Sequence, residues 1–423
     1  MESKIRSYEE MKDSGVEWIG VIPKDWDIVR FKRMHRGSNV GLSLDKDYWS
    51  ANEDDTVFYT AGLKSIHTSY KDIEPEMLTK ENDLLLARNG TPYVYFPCVG
   101  AIYTDHIIRV GIENGYNKAF VRYCLQQSIA YEVVDTVSIA TWSVPIWNRQ
   151  CLPHPSLPEQ AAIAAYLDDK CGAIDDIITE AKAGIEEYKA WKASVIFEAV
   201  TKGLDLNAEM KDSGVEWIGQ IPKGWSRDKI TRIYRVIGSG TTPKFDEAKD
   251  NSGPINWILS GDVYSGGVIT DVTNRISENF LSEYSALKLY QLPFVVIAMY
   301  GASIGNMAVS HVSGCVNQAC CVLGRPREDF DFNYAYYALQ ALKRHLLSSA
   351  FGGGQPNVSQ QIIKAQWLPM PPRSEQVAIA AYLDDKCSAI DSVIAEKEVL
   401  IAELETYKKS LIFETVTGKR RVC

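Results

Sequence analysis

The residues with chemistry to offer are scattered along the chain, and their spacing builds no reaction centre. Six histidines, His35, His67, His106, His154, His311 and His345, show neither metal-ligand spacing nor a nucleophile partner. The nine cysteines include no Cys-x-x-Cys pair, are odd in number, and set Cys320 beside Cys321, where one metal is hard to share. They read as reduced, mostly buried thiols, and no metal site is expected. Gly238-Ser239-Gly240-Thr241-Thr242-Pro243-Lys244 is glycine-rich but lacks the Gly-Lys-Ser/Thr ending of a phosphate loop. No Asn/Asp-Pro-Pro-aromatic tetrad is present for adenine methylation. The acid pairs Asp168-Asp169 and Asp384-Asp385 stand early in helical stretches, where the positive end of the dipole favours acids, and that role or a contact with a partner is expected of them rather than catalysis. What remains is recognition chemistry: polar side chains on loops, which a rigid scaffold would have to hold.

The letters of that scaffold are written twice. AIAAYLDDKC runs from Ala162 to Cys171 and again from Ala378 to Cys387; MKDSGVEWIG runs from Met11 to Gly20 and again from Met210 to Gly219. Two such pairs identify an internal duplication. Their offsets, 216 and 199 positions, make the enclosed segment 17 residues longer in the second unit. That segment, residues 27–156 in one unit and 226–372 in the other, is where the letters diverge. A kept frame surrounds a changed filling.

At 423 residues the chain exceeds one ordinary core and should form two or more domains. Its 46% hydrophobic and 23% charged content is that of a soluble globular protein. No apolar run reaches the roughly 18 residues of a membrane helix, and MESKIRSYEE is no signal peptide, so a cytoplasmic location without membrane contact is expected. The net charge of −9 argues against nucleic acid until its distribution is read. Leu157 to Trp225 carries 7 basic and 13 acidic residues, whereas residues 226–372 carry 13 and 11, and residues 27–156 carry 13 and 15. The acidity sits mainly in the frame, and the fillings can still meet phosphates. Residues 1–10 read as a polar lead, and Lys419-Arg420-Arg421 as a frayed, solvated end.

Glu17-Trp18-Ile19-Gly20 and Ile22-Pro23-Lys24-Asp25-Trp26 read as a packing clasp, with a proline that extends the path and tryptophans that want cover. In the first filling Asp83 to Arg88 reads as a buried strand ending in the turn Asn89-Gly90, Tyr93 to Phe96 as the next strand, and Ala119 to Glu132 as a helix. In the second, a strand from Phe294 to Met299 runs into Tyr300-Gly301-Ala302-Ser303-Ile304-Gly305, which matches Leu84 to Gly90 in position. After the proline turns Leu152-Pro153-His154-Pro155 and Leu368-Pro369-Met370-Pro371, each followed by Glu-Gln, helical periodicity holds from Pro158 to about Val200 and from Ser374 to about Val416. Each rod would be about 60 Å long. One apolar stripe combines Leu167, Ile174, Ala181, Tyr188 and Val195 with Ile163, Ile177, Ile178, Ile185 and Trp191; Lys170 and Gly184 interrupt it. The other combines Leu383, Ile390, Leu404 and Leu411 with Ile379, Val393, Leu400 and Tyr407, and Lys397 replaces Ala181. Two stripes in one chain most simply cover each other as a coiled coil, with Leu167, Ile174, Ile178, Ile185, Leu383, Ile390, Leu400 and Leu404 pairing the helices. Pseudo-twofold symmetry favours an antiparallel pair with the fillings at opposite ends.

Two EWIG-x-IP-K-x-W clasps, the Gly-Ser-Gly-x-Thr-Pro loop at 238–243, Trp257-Ile258-Leu259-Ser260-Gly261-Asp262, the Gly301 to Gly305 turn, Phe351-Gly352-Gly353-Gly354-Gln355-Pro356-Asn357, and LP-x-P-x-x-x-EQ before each long helix form a specific set. As a set, over essentially the whole chain, they resemble the specificity subunit of type I restriction-modification systems. The first filling departs from the pattern, with Asn39-Val40-Gly41 at the glycine loop and Asn89-Gly90-Thr91 at the fuller turn. The resemblance implies an α+β fold: clasp and target recognition domain 1 in residues 1–156, a spacer helix in 157–205, clasp and domain 2 in 206–372, and a second spacer helix with the basic tail in 373–423. It implies a non-catalytic subunit whose two domains each read one half of an asymmetric, bipartite site in double-stranded DNA. The helices would set the gap and dock methyltransferase subunits, two of them; restriction and translocase subunits would join. S-adenosylmethionine, ATP and magnesium would belong to those partners, and this subunit would hold no cofactor. Base-contact candidates are Arg88, Asn89, Thr91 and Tyr93 in the first domain, and Thr241, Lys244, Tyr300, Ser303, Gln355 and Asn357 in the second, since arginine suits guanine and asparagine or glutamine suits adenine. For each, turn geometry or a phosphate contact is the competing role. The rival readings are a duplicated protein-protein adaptor without DNA readout and an enzyme with a cryptic site.

Overall fold

The repeated letters of the clasp fold into a short hairpin, Met11–Asp13 against Val21–Pro23, and again Met210–Asp212 against Gln220–Pro222. Its turn is made by side chains: Asp13 Oδ1 accepts from Gly15 N and Ser14 Oγ from Val16 N, and Asp212 and Ser213 repeat both bonds. Trp26 and Trp225 are buried beneath, and each indole donates to the first-turn glutamate of a long helix, Glu159 at 3.0 Å and Glu375 at 2.8 Å. Trp26 and Trp225 thus find cover and a hydrogen-bond partner, as large amphipathic rings require when buried. Of the other clasp pair, Trp18 Nε1 donates to Cys151 O, whereas the buried Trp217 Nε1 finds no partner among the described residues.

The computed structural model describes residues 4–62, 64–132, 140–242, 253–263, 267–301, 303–349 and 357–422. The chain divides into two units, Met1–Ala181 with Glu398–Cys423, and Lys182–Lys397, each of mixed helix and sheet. In each, the filling starts and ends side by side: Asp27–Arg30 pairs with Cys151–His154, and Ser226–Lys229 with Trp367–Met370. The proline turns are therefore strands that close each domain. The first domain holds a four-stranded sheet, with Asp83–Ala87 and Ile107–Ile112 at its centre, and a second sheet built around Thr56–Tyr59. The second domain has a five-stranded sheet with Phe294–Ala298 at its centre and a three-stranded sheet around Ile255–Ile258. Asp83–Ala87 and Phe294–Ala298 are buried throughout, as their unbroken apolar runs predict. A helix packs near each main sheet, Lys118–Ile129 capped by Asn117 and Phe332–Ser348 capped by Asp331.

The long helices are Leu157–Lys202 and Arg373–Val416. Burial along the first follows one 3-4 spacing, Leu167, Cys171, Ile174, Ile178, Ala181 and Ile185, and along the second Leu383, Cys387, Ile390 and Ile394. In the first unit Leu404 and Ile401 pack on the cluster that contains Leu167, Ile174 and Ile178. Four expected stripe members lie off it: Ile177 is 47% exposed, Trp191 52%, Leu400 43% and Tyr407 51%. Lys170 is exposed too, and Gly184 faces the Lys397 side chain. Places one turn further on that stripe are held by Lys192 and Lys408. Lys192 Nζ bonds Asp391 at 2.7 Å in the second unit, and Lys408 Nζ bonds Asp175 at 2.6 Å in the first.

Three further expectations need correcting. Asp168 and Asp384 lie too deep in their helices to feel the N-terminal dipole, which acts over the first turn. They accept instead from Tyr123 and Tyr337 hydroxyls, both at 2.7 Å, and burial raises both phenols well above their ordinary range. The chain end is not frayed: Arg420–Arg421 pairs with Lys4–Ile5, Lys419 Nζ donates to Ile19 O, and Val422 is buried. The polar lead is the other half of that pairing. Among the described cysteines all are free, six are buried, and Cys98 is exposed.

Candidate nucleic-acid interface

In the first unit the central strand Asp83–Ala87 delivers Arg88 and Asn89 to a cluster of loops. Arg88 N donates to His106 O and its Nη1 reaches Asp105 O at 3.3 Å; Asn89 Nδ2 meets His106 Nδ1 at 2.8 Å. Segment 140–142 clips the turn from the other side, with Trp142 N on Arg88 O, Trp142 Nε1 on Gly90 O and Gly90 N on Ala140 O. Gly90, at φ +75°, makes the turn that the letters Asn-Gly foretell. Thr91 is exposed, and Tyr93, 36% exposed, packs edge-on against Tyr95 at 4.9 Å. Leu42 N donates to Tyr103 O, which joins the segment just after the strand His35–Val40 to the same cluster.

The second unit builds the same arrangement with other letters. Tyr300, continuing the strand Phe294–Ala298, bridges to Asn357, and Val358 N donates to Met299 O. Gln318 ties two stretches together: its side chain accepts from Thr242 Oγ1, and its carbonyl accepts from Ser239 Oγ. Burial raises the Tyr300 hydroxyl above its ordinary range, and the Gln318 side chain partly offsets this. Gly240 passes so close to Val316 O that a Cβ would collide with it, and Gly41 stands in the same relation to Tyr103 O. The glycine loop of the second domain and the divergent Asn39-Val40-Gly41 of the first therefore share one physical requirement at one aligned position. Asp262, at the end of the Trp257 to Asp262 loop, accepts from Leu259 N at 2.8 Å, and burial raises its carboxyl.

Of the candidate base-contact residues, Arg88, Asn89, Thr91 and Tyr93 stand on one loop. In the second unit Tyr300 and Asn357 are adjacent, and Gln318 holds Thr242, the chain neighbour of Thr241; Ser303 accepts a turn bond from Asn306 N through its carbonyl. Lys244 and Gln355 lie outside the described residues. Sequence reasoning missed His106 and Gln318, which hold the other loops in place. Both sit just past short strands, Ile102–Tyr103 and Gly314–Val316, too brief to stand out as periodic signals. No helix among the described residues is long and apolar enough to cross a membrane.

The family model for the type I restriction modification DNA specificity domain matches residues 222–404. The chain is 23% identical, over 95% of its length and 94% of the relative's, to the MjaVIII type I restriction enzyme specificity subunit of Methanocaldococcus jannaschii. It is 21% identical, over 75% of its length and 69% of the relative's, to the EcoBI specificity subunit of Escherichia coli. A chain from a solved structure concerned with complex assembly and conformational transition of the type I R-M system aligns at a TM-score of 0.67 and 15% identity, covering 94% of this chain and 99% of that one.

Proposed function

We propose that this chain is the DNA-specificity subunit of a type I restriction-modification system, a reader that catalyses nothing itself. The observation that carries the reading is a frame whose hairpin, turn and Trp–Glu bonds recur around loop clusters that differ. Trp26 to Glu159 and Trp225 to Glu375 are the same bond, while the Asn89–His106 and Thr242–Gln318 ties are not. Equal mounts with unequal loops suit a DNA site whose two halves differ. Contacts to bases fall to Arg88, Asn89, Thr91 and Tyr93 in one domain, and to Thr241, Lys244, Tyr300, Ser303, Gln355 and Asn357 in the other.

The long helices pair antiparallel as a coiled coil with pseudo-twofold symmetry, and their length sets the base pairs between the halves. The Lys192–Asp391 and Lys408–Asp175 bonds support this, because the lysine and aspartate exchange helices between them. The partners are double-stranded DNA, two methyltransferase subunits docked on the repeated frame, and translocase and nuclease subunits. S-adenosylmethionine, ATP and magnesium serve those partners, and the assembly works in the cytoplasm. With near-neutral domains, counterion release is a modest driving force, so the assembled complex supplies most of the affinity.

Replacing residues 226–372 by the corresponding segment of another specificity subunit should change one half of the methylated sequence and leave the other half as it was. Mapping modified adenines in cells carrying the exchanged chain reads this directly; a change in both halves would refute the modular reading.

A further inference from the structure

The two clasps differ in one respect that the repeat does not predict. In the first unit Glu159 is shared: Oε2 accepts from Trp26 Nε1, and Oε1 accepts from Arg6 Nη2 at 3.2 Å. Both charged side chains are largely covered, 13% and 17% exposed. In the second unit Trp225 makes the same bond to Glu375, but the position aligned with Arg6 is Asp205 and the one aligned with Ile5 is Leu204. Glu375 is exposed and has no ion pair among the described residues. Where the first unit has a guanidinium, the second has a cavity of about 360 Å³ walled by Leu204, Asp205, Pro222, Trp225, Glu375 and Ile379. Lys202 also borders it, 3.6 Å from Glu198.

We infer that this cavity receives an arginine side chain from a partner protein of the assembly. The chain's own first unit supplies the template, an Ile-Arg pair whose guanidinium sits on the equivalent glutamate. A planar guanidinium donates to a carboxylate and lies flat on an indole, which a compact ammonium does less well. Two carboxylates at the mouth repel phosphate and so exclude a nucleic-acid backbone as the occupant. Apolar walls at Leu204, Pro222 and Ile379 suit the stem of the arginine and an aliphatic neighbour. The inference rests on the proposed function only in its choice of partners.

The test is a titration of the purified chain with its methyltransferase subunit, and of that complex with its translocase subunit. Glu375→Gln keeps an oxygen for the Trp225 indole and removes the charge. It should weaken one of these two associations by at least about tenfold, with melting temperature and modified DNA sequence unchanged. Asp205→Asn should act in the same direction, more weakly. Glu159→Gln, whose site Arg6 already fills, should leave both affinities alone. Wild-type affinity for both partners in Glu375→Gln, or an equal loss in Glu159→Gln, would overturn the inference. Failure of the underlying reading looks different: the wild-type complex itself would modify no defined sequence. A photo-crosslinking residue in place of Leu204 should attach to an arginine-bearing segment of the affected subunit, and attachment only to segments without arginine counts against it.

Discussion

Gln160 and Gln376 show how much one repeated letter can carry. Gln376 is 1% exposed; its Oε1 accepts from Asp331 N at 2.6 Å, and its Nε2 donates to Asp329 O and Pro371 O. Asp331 in turn caps the helix Phe332–Ser348 through Asn333 N and Tyr334 N. Gln160 makes the matching bond to Asn117 N, the cap residue of Lys118–Ile129. One glutamine at the start of each long helix therefore fixes the start of each domain helix. Gln376→Ala strands a backbone N–H and two carbonyls, and should cost about 1–3 kcal/mol, read as a fall in the urea midpoint at constant slope. An unchanged midpoint would mean that water replaces the side chain. The recurrence of Glu-Gln was legible in the sequence, but its purpose was not, because Asn117, Asp329 and Asp331 lie in the diverged fillings. The same holds at the candidate interface. The Asn-Gly turn and the Tyr300 to Gly305 stretch can be read from letters, whereas His106 and Gln318 earn their place only through bonds to loops distant in sequence.

The long helices were predicted almost to the residue, yet four members of the apolar stripe were misassigned, for a physical reason. A stripe of 3-4 spacing has a partner either three or four residues after each anchor, and the apolar letters at Ile177, Trp191, Leu400 and Tyr407 favour three. The fold uses four, which puts Cys171, Cys387, Lys192 and Lys408 on the covered face. A lysine there escapes a hydrophobicity rule because its aliphatic stem lies on apolar surface while the ammonium reaches an aspartate. The two spacings predict different stabilities. Leu383→Ala, at a fully buried site, should cost about 2–5 kcal/mol. Leu400→Ala, on the open face, should stay within about 0.5 kcal/mol. Chemical denaturation of both variants decides between them, and equal losses would return Leu400 to the stripe.

The duplication, its unequal offsets and the changed filling describe the whole molecule well from letters alone, but they say nothing about how the ends are used. The second unit is one continuous stretch, Lys182–Lys397, whereas the first needs both Met1–Ala181 and Glu398–Cys423. Its closure depends on backbone pairing of Lys4–Ile5 with Arg420–Arg421, on Lys419 Nζ at Ile19 O, on the Arg420–Glu414 ion pair at 2.7 Å, and on buried Val422. Basic letters at a chain terminus read as solvated because their partners, residues 4, 5 and 19, are about 400 positions away in sequence. Deleting residues 419–423 removes one valine's burial and a few hydrogen bonds, together about 2–4 kcal/mol. That loss should fall on the first unit, because the closing contacts named above all lie within it. Hydrogen exchange should therefore quicken in the hairpin Met11–Asp13 and Val21–Pro23 and leave its repeat, Met210–Asp212 and Gln220–Pro222, at the full-length rate. Equal acceleration of both hairpins would show that the two units open together and that the terminal pairing is not a local clasp.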